Sequence, residues 1–222
     1  MNRWVVLASV AGLAGAAWLF GGREPSPPPP PGERPWEVTL APDGASRALG
    51  LTLGRSTLGD AIARFGKGVD VAVFESPGRP LSLEAYFAEA SSGGLSGRLV
   101  VTLAPEPAVL EGLRARGAGP RRLQSGSLRY ELDPRDADTV AGLRVASLTF
   151  VPRANLDEDT VRARFGEPVE RVPAGEGQVR WLYPERGVAV TLSEQGREMI
   201  DYFAPGDSGR LRQLSTPVPA GD

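Results

Sequence analysis

The sequence predicts an α+β fold in which an N-terminal transmembrane helix precedes two related units, each a small antiparallel sheet covered by a short helix. Three observations lead to this prediction. A charge-free apolar run lies at Trp4–Phe20, the tetrapeptide ARFG occurs at 63–66 and again at 163–166, and the apolar runs around both copies follow a similar order. Each unit is predicted to have the element order β-β-α-β-β-β.

The apolar run at Trp4–Phe20 predicts a membrane anchor. As a helix it rises about 25 Å, close to the roughly 30 Å of a hydrocarbon core, and Trp4 and Trp18 lie near its ends, where indole rings favour the interface. Arg3 favours a cytoplasmic N-terminus, which predicts a single-pass inner-membrane protein with its remaining domains in the periplasm. The alternative is a cleaved signal peptide with Ala14-Gly15-Ala16 as the cleavage motif.

The chain divides into six parts. The run of prolines in Pro25–Pro35 favours polyproline II and predicts a semi-rigid spacer of roughly 30 Å. The predicted boundaries are 1–22 for the anchor, 23–35 for the proline-rich linker, 36–104 for the first unit, 105–126 for a connecting helix and loop, 127–205 for the second unit and 206–222 for a flexible tail.

The helix of each unit is predicted from its two ends. Thr57 is followed three residues later by Asp60, and Asn155 by Glu158, the spacing of a capping box. The glycine that closes each ARFG tolerates the left-handed geometry of a helix end. A further helix is predicted at Pro107–Arg116.

Alternating apolar residues predict the strands. In the first unit they lie at Trp36–Ala41, Ala48–Leu53, 69–74, 81–87 and Leu99–Leu103; in the second they lie at Leu128–Leu132, Leu143–Val151, 179–183, 188–192 and 200–202.

The second unit carries a recognisable motif, made of Gly166-Glu167-Pro168, Trp181-x-Tyr183, Gly187-Val188-x-Val190, Gly196 and Ile200. This pattern resembles the SmpA/OmlA (BamE-like) domains of the bacterial envelope and the tandem β-lactamase-inhibitor-protein fold. The resemblance covers residues 156–203 well and 57–103 poorly. It implies helices packed on an antiparallel sheet and a role in the cell envelope. BamE-like proteins are usually lipoproteins, whereas this chain has no cysteine to acylate.

Composition argues against several kinds of chemistry. The chain has no Cys and no His, so it lacks catalytic thiols, the commonest general base and the commonest zinc ligands. A net charge of −2 without a basic run argues against a nucleic-acid partner.

The segment Gly206-Asp207-Ser208-Gly209 resembles a protease nucleophile segment, but the chain has no histidine to act as its base. Two acidic stretches, Asp133-x-x-Asp136-x-Asp138 and Asp157-Glu158-Asp159, are better explained by turns and helix capping than by Ca²⁺ binding. No cofactor, metal or catalytic residue is predicted.

Three neighbouring residues are the candidates for partner binding. Trp181 and Tyr183 lie on one side of their strand, as an aromatic contact surface or as core residues below Phe165. Arg180 lies on the opposite side and is predicted to face solvent.

These observations predict a non-enzymatic, membrane-anchored periplasmic protein–protein interaction module or adaptor, whose partner is an envelope protein. No small-molecule substrate is expected. Two alternatives are an exported inhibitor of an enzyme and a TonB-like or secretion-system linker.

Overall fold

A ten-stranded antiparallel sheet dominates the protein, whose computed structural model describes residues 33–194 and 197–215. The strands are β1 (Thr39–Leu40), β2 (Ser46–Ala48), β3 (Leu51–Thr52), β4 (Val69–Glu75), β5 (Ser82–Ser92), β6 (Leu95–Leu103), β7 (Ala118–Arg122), β8 (Leu128–Glu131), β9 (Val145–Pro152), β10 (Glu170–Gly175), β11 (Gln178–Tyr183), β12 (Val188–Ser193) and β13 (Met199–Tyr202). The helices are α1 (Leu58–Phe65), α2 (Pro107–Arg116), α3 (Ala137–Ala141), α4 (Glu158–Phe165) and α5 (Ser208–Ser215).

The predicted fold class is wrong. The described chain is mostly β-sheet with a few short helices, and the two predicted units share one sheet with the order β10-β11-β12-β13-β9-β6-β5-β4-β8-β7. None of the described helices is long and apolar enough to cross a membrane, and the transmembrane helix predicted at Trp4–Phe20 lies outside the described residues.

The pairing of β6 with β9 joins the two halves. It runs from Gly97 opposite Pro152 to Leu103 opposite Val145, with one irregularity near its end. A side chain at position 97 would collide with the Val151 carbonyl oxygen and the Phe150 ring, so the close approach of the two strands requires glycine. Both strands present apolar residues to the same face, so their pairing lets residues of the two halves share one hydrophobic core.

One face of the large sheet packs against the main hydrophobic core. Helices α1 and α4 contribute Leu58, Ala61, Val161 and Phe165 to this core, while α2 and α3 contribute Leu113 and Val140. The small sheet β1-β2-β3 adds Ala48 and Leu51 to the same face.

The predicted helix ends are correct at three of four points. Thr57 and Asp60 form the expected reciprocal capping box, and α1 and α4 end before their glycines. The residue that caps α4, however, is Asp157, whose carboxylate accepts from the Thr160 amide at 2.7 Å, and not Asn155. The prediction for 107–116 is confirmed by α2.

The two strands predicted at the start of the first unit form instead a separate three-stranded sheet of very short strands. The interruption falls at Leu49 and Gly50, whose φ angles of 52° and 82° make a two-residue turn inside the predicted run Ala48–Leu53. Leu49 is fully buried in this turn. An apolar residue that the sequence pattern assigns to a strand therefore packs into the core from a turn.

Of the described helices, α5 alone packs in a hydrophobic cluster on the second face of the sheet. Its Leu214, with the partly buried Leu211, contacts a small cluster made of Val172, Leu182, Ala189 and Phe203. This helix occupies part of the segment predicted as a flexible tail. Its apolar signal consists of two leucines three residues apart, too little to predict a helix from sequence.

Candidate functional site

The aromatic pair predicted for partner binding lies in the main core. Trp181 has no exposed surface, and the Arg171 and Arg162 guanidinium groups lie 4.3 and 5.5 Å from its ring centroid. The Tyr183 hydroxyl donates to the Gly166 carbonyl oxygen at 3.0 Å, and burial raises the pKa of Tyr183 to about 12. Both rings therefore serve the alternative role that the sequence allowed, as core residues.

Arg180 lies on the other side of β11, as predicted, but it does not face open solvent. Its guanidinium donates to the Thr191 hydroxyl at 3.1 Å and to the Leu214 carbonyl oxygen at 2.7 Å, below α5. Burial lowers the pKa of this arginine. Arg180 and the two aromatic residues thus lie on opposite faces and form no common surface.

The exposed surface with the best features for recognition is the part of the second sheet face that α5 leaves uncovered. We call it the open face; it belongs to β4, β5, β6 and β9. Phe74, Tyr86, Val100 and Val151 lie on it and belong to neither hydrophobic cluster. The same face also carries two small residues, Ala72 and Ala88, and the polar residues Asp70, Glu84, Arg98, Thr102, Ser147 and Thr149.

Tyr86 is the central feature of the open face. It is 37% exposed, one of three large hydrophobic side chains among the described residues with that much exposure. On the neighbouring strand β6 it is paired with Val100, and Val100 in turn is paired with Thr149 on β9. Tyrosine supplies a large contact area and a hydrogen-bonding hydroxyl at low entropic cost, which is why interfaces are enriched in it.

One end of the open face is basic. Arg98, Arg153 and Arg197 line a hollow of about 330 Å³ whose other walls include Val151 and Ala88. Arg153 forms an ion pair with Glu89. Within residues 33–194 and 197–215, Arg98 and Arg197 have no ion-pair or hydrogen-bond partner.

The border with α5 is held by polar contacts. Asp201 is 5% exposed, and its carboxylate accepts from the Thr149 hydroxyl at 2.7 Å and from the Arg210 guanidinium at 3.0 Å. A hydrogen-bonded carboxylate between sheet and helix therefore fixes where the open face ends.

Acidic residues of the Asp133–Asp138 stretch and of the protease-like segment 206–209 are engaged in other contacts. The Arg135 side chain and amide hold the pKa of Asp133 down at about 2, and Asp136 accepts two hydrogen bonds from Arg116 at 3.1 and 2.9 Å. Asp207 accepts from the Arg210 amide at 2.8 Å at the start of α5. Across the described parts of the chain, no group of three acidic side chains is placed to hold a metal ion.

Sequence reasoning missed Tyr86, although a signal for it exists. The alternation Leu83, Ala85, Phe87 assigns one face of β5 to the core, and Tyr86 falls between them, on the face that should be polar. An aromatic residue in the polar phase of a strand indicates either a second packed layer or a binding surface.

No protein-family model matches the chain, and comparison with curated proteins and with solved structures gives no match either.

Proposed function

We propose that the protein is a non-enzymatic protein-binding module of the bacterial cell envelope, and that the open face is its docking surface. The observation that carries this proposal is the position of Tyr86. It stands 37% exposed in the middle of a sheet whose opposite face is packed against four helices and a small sheet.

The open face has the composition of a recognition surface. Tyr86, Val100 and Val151 supply apolar contact area, and Thr149 and Ser147 supply hydroxyl groups beside them. Interfaces place aromatic anchors at the centre and polar groups at the rim. A flat sheet face suits a folded partner, because it offers area without a deep cavity.

The charges of the open face define the partner further. Arg98 adjoins Val100 on β6, and Arg98 and Arg197 line the basic end without carboxylate partners in the described part of the chain. A partner with an acidic patch beside an apolar one satisfies both halves of this surface. We therefore expect an envelope protein with that pairing of features.

The cellular location rests on sequence. The apolar run Trp4–Phe20 and the following prolines favour export on either interpretation of the N-terminus, and they lie outside the described residues. The resemblance of residues 156–203 to BamE-like domains points to the same compartment. A C-terminal reporter that is active only in the periplasm tests this part of the proposal.

The test of the docking surface compares two exposed hydrophobic positions. The envelope partner is crosslinked to the full-length protein in cells, and the amount that co-purifies is measured. Tyr86→Glu should reduce this amount at least about tenfold relative to the unmodified protein, because a charge replaces the central contact. Leu40→Glu, at a position 51% exposed on the small sheet, is the matched control and should leave recovery unchanged. Equal recovery by both variants would place the binding surface elsewhere.

A further inference from the structure

A second surface, on the other side of the second half, has the chemistry of a binding site. It is a cavity of about 510 Å³ between the start of α4, the β10–β11 turn and the end of β12. We call it the acidic cavity. Its charged walls are Asp157, Glu158, Glu194 and Glu198, and no Lys or Arg of the described residues lines it.

Two of these carboxylates already have partners. Asp157 caps α4, and its hydrogen bonds with Thr160 lower the pKa of its carboxyl group. Glu158 lies 3.6 Å from Arg162 one helical turn later. The charges of these two residues are therefore partly balanced.

Glu198 is different. It is 4% exposed, it lines the cavity, and among the described residues it has neither a hydrogen-bond nor an ion-pair partner. Glu194 likewise has no side-chain partner within the described part of the chain. A largely buried residue whose carboxylate has no partner loses part of its hydration, and a cation beside the carboxylate compensates that loss. A cationic ligand that enters the cavity therefore forms a favourable electrostatic interaction with this carboxylate.

The shape of the cavity selects the kind of cation. Leu156 and Leu192 are buried beside the half-buried Val179, and these three side chains supply an apolar wall next to the carboxylates. Long basic side chains lay their methylene groups on such a wall and direct the charged head to acidic partners. The acidic side chains do not converge closely enough, over the described residues, to hold a metal ion.

We propose that the acidic cavity binds the side chain of an arginine or lysine carried by a segment of a partner protein, with Glu198 and Glu194 as the groups that receive its charge. The inference rests on the proposed role in protein binding, but it uses a surface separate from the open face. An arginine head donates up to five hydrogen bonds in a planar fork, so it satisfies two carboxylates at once.

The test titrates the full-length protein with a capped Ala-Arg-Ala tripeptide and follows binding by the change in the protein's chemical shifts. We expect saturable binding that weakens about tenfold or more when citrulline, which is neutral and nearly isosteric, replaces arginine. Free agmatine presents the same head without a peptide. Tighter binding of agmatine than of the tripeptide would overturn the assignment to a protein segment.

Glu198→Gln tests the residue itself. The variant should bind the tripeptide about tenfold or more weakly, while Glu185→Gln, at an exposed position on another turn, should bind it normally. Because Glu198→Gln removes an unpartnered charge, its thermal midpoint without peptide should equal or exceed that of the unmodified protein. A lower midpoint, or unchanged peptide binding, would overturn the proposal.

The two binding proposals fail independently. Recovery of the envelope partner through the open face is measured with Tyr86→Glu, and tripeptide binding is measured with Glu198→Gln. If the tripeptide binds at the acidic cavity while Tyr86→Glu leaves partner recovery intact, the open face is wrong and the cavity stands. The reverse pattern rejects the cavity alone.

Discussion

The guanidinium group of Arg180 donates a hydrogen bond to the backbone carbonyl oxygen of Leu214, with the two atoms 2.7 Å apart. That carbonyl belongs to the last turn of α5, where helical C=O groups have no partner within the helix. A strand residue predicted to contact solvent therefore caps a helix on the second face of the sheet.

The first prediction concerns this contact. Arg180→Met should lower the protection of the α5 amides against hydrogen exchange by about tenfold, because the loss of a charged donor weakens local structure by about 1–2 kcal/mol. Arg121→Met, on the fully exposed strand β7, is the control and should leave α5 protection unchanged. Unaltered α5 exchange in Arg180→Met would show that the leucine contacts alone hold the helix.

The second prediction concerns the unity of the sheet. Gly97→Ala should reduce the free energy of unfolding by about 1–3 kcal/mol, because its methyl group meets the Val151 carbonyl oxygen and the Phe150 ring. Gly68→Ala, whose side chain would enter open space, should be neutral or stabilising by up to about 1 kcal/mol.

The free energy of unfolding of both variants is measured by denaturant titration, with circular dichroism and tryptophan fluorescence as the two signals. The two signals should change in one coincident transition, because β6 and β9 make the halves one cooperative unit. Two separate transitions, with only one moved by Gly97→Ala, would favour the two independent sheets that the sequence suggested.

The features predicted correctly from sequence are those with local causes. The capping box of Thr57 and Asp60 and the bounds of α2 depend on residues within one or two helical turns. The alternation along β11 also separated Arg180 from Trp181 and Tyr183 correctly. What the sequence did not predict depends on distant partners: β6 beside β9, α5 over Arg180, and the uncovered face around Tyr86. Periodicity assigns a residue to a face but does not specify what covers that face.

The third prediction compares two candidate N-capping residues of α4, Asn155 and Asp157. Asp157→Ala should cost about 1 kcal/mol of stability, since the Asp157 carboxylate accepts from the Thr160 amide at 2.7 Å. Asn155→Ala should change stability by less than about 0.5 kcal/mol. Thermal unfolding of the two variants at neutral pH decides the matter, and a larger loss in Asn155→Ala would restore the cap predicted from sequence.

The fourth prediction concerns alkaline stability. Burial raises the pKa of Tyr183 from its ordinary value of 10.0 to about 12. The unfolded chain therefore releases this proton first, so the stabilising contribution is complete below pH 10 and declines as the pH rises towards 12. Stability measured across this window should fall less steeply in Tyr183→Phe than in the unmodified protein.

Phe165→Leu is the control for the alkaline experiment, because it changes the packing beside the Tyr183 ring and removes no ionisable group. It should leave the slope of stability against pH between 10 and 12 unchanged. Equal slopes for Tyr183→Phe and the unmodified protein would mean that the Tyr183 hydroxyl is not desolvated in the folded state.

The most direct test of the central claim is photo-crosslinking in intact cells, with the photoreactive amino acid p-benzoylphenylalanine placed at position 86 or at position 40. Both native residues are exposed hydrophobics, but only Tyr86 lies on the open face. The open-face account predicts one dominant crosslinked envelope protein from position 86 and none of that product from position 40. The same product from position 40, or no product from position 86, would contradict it.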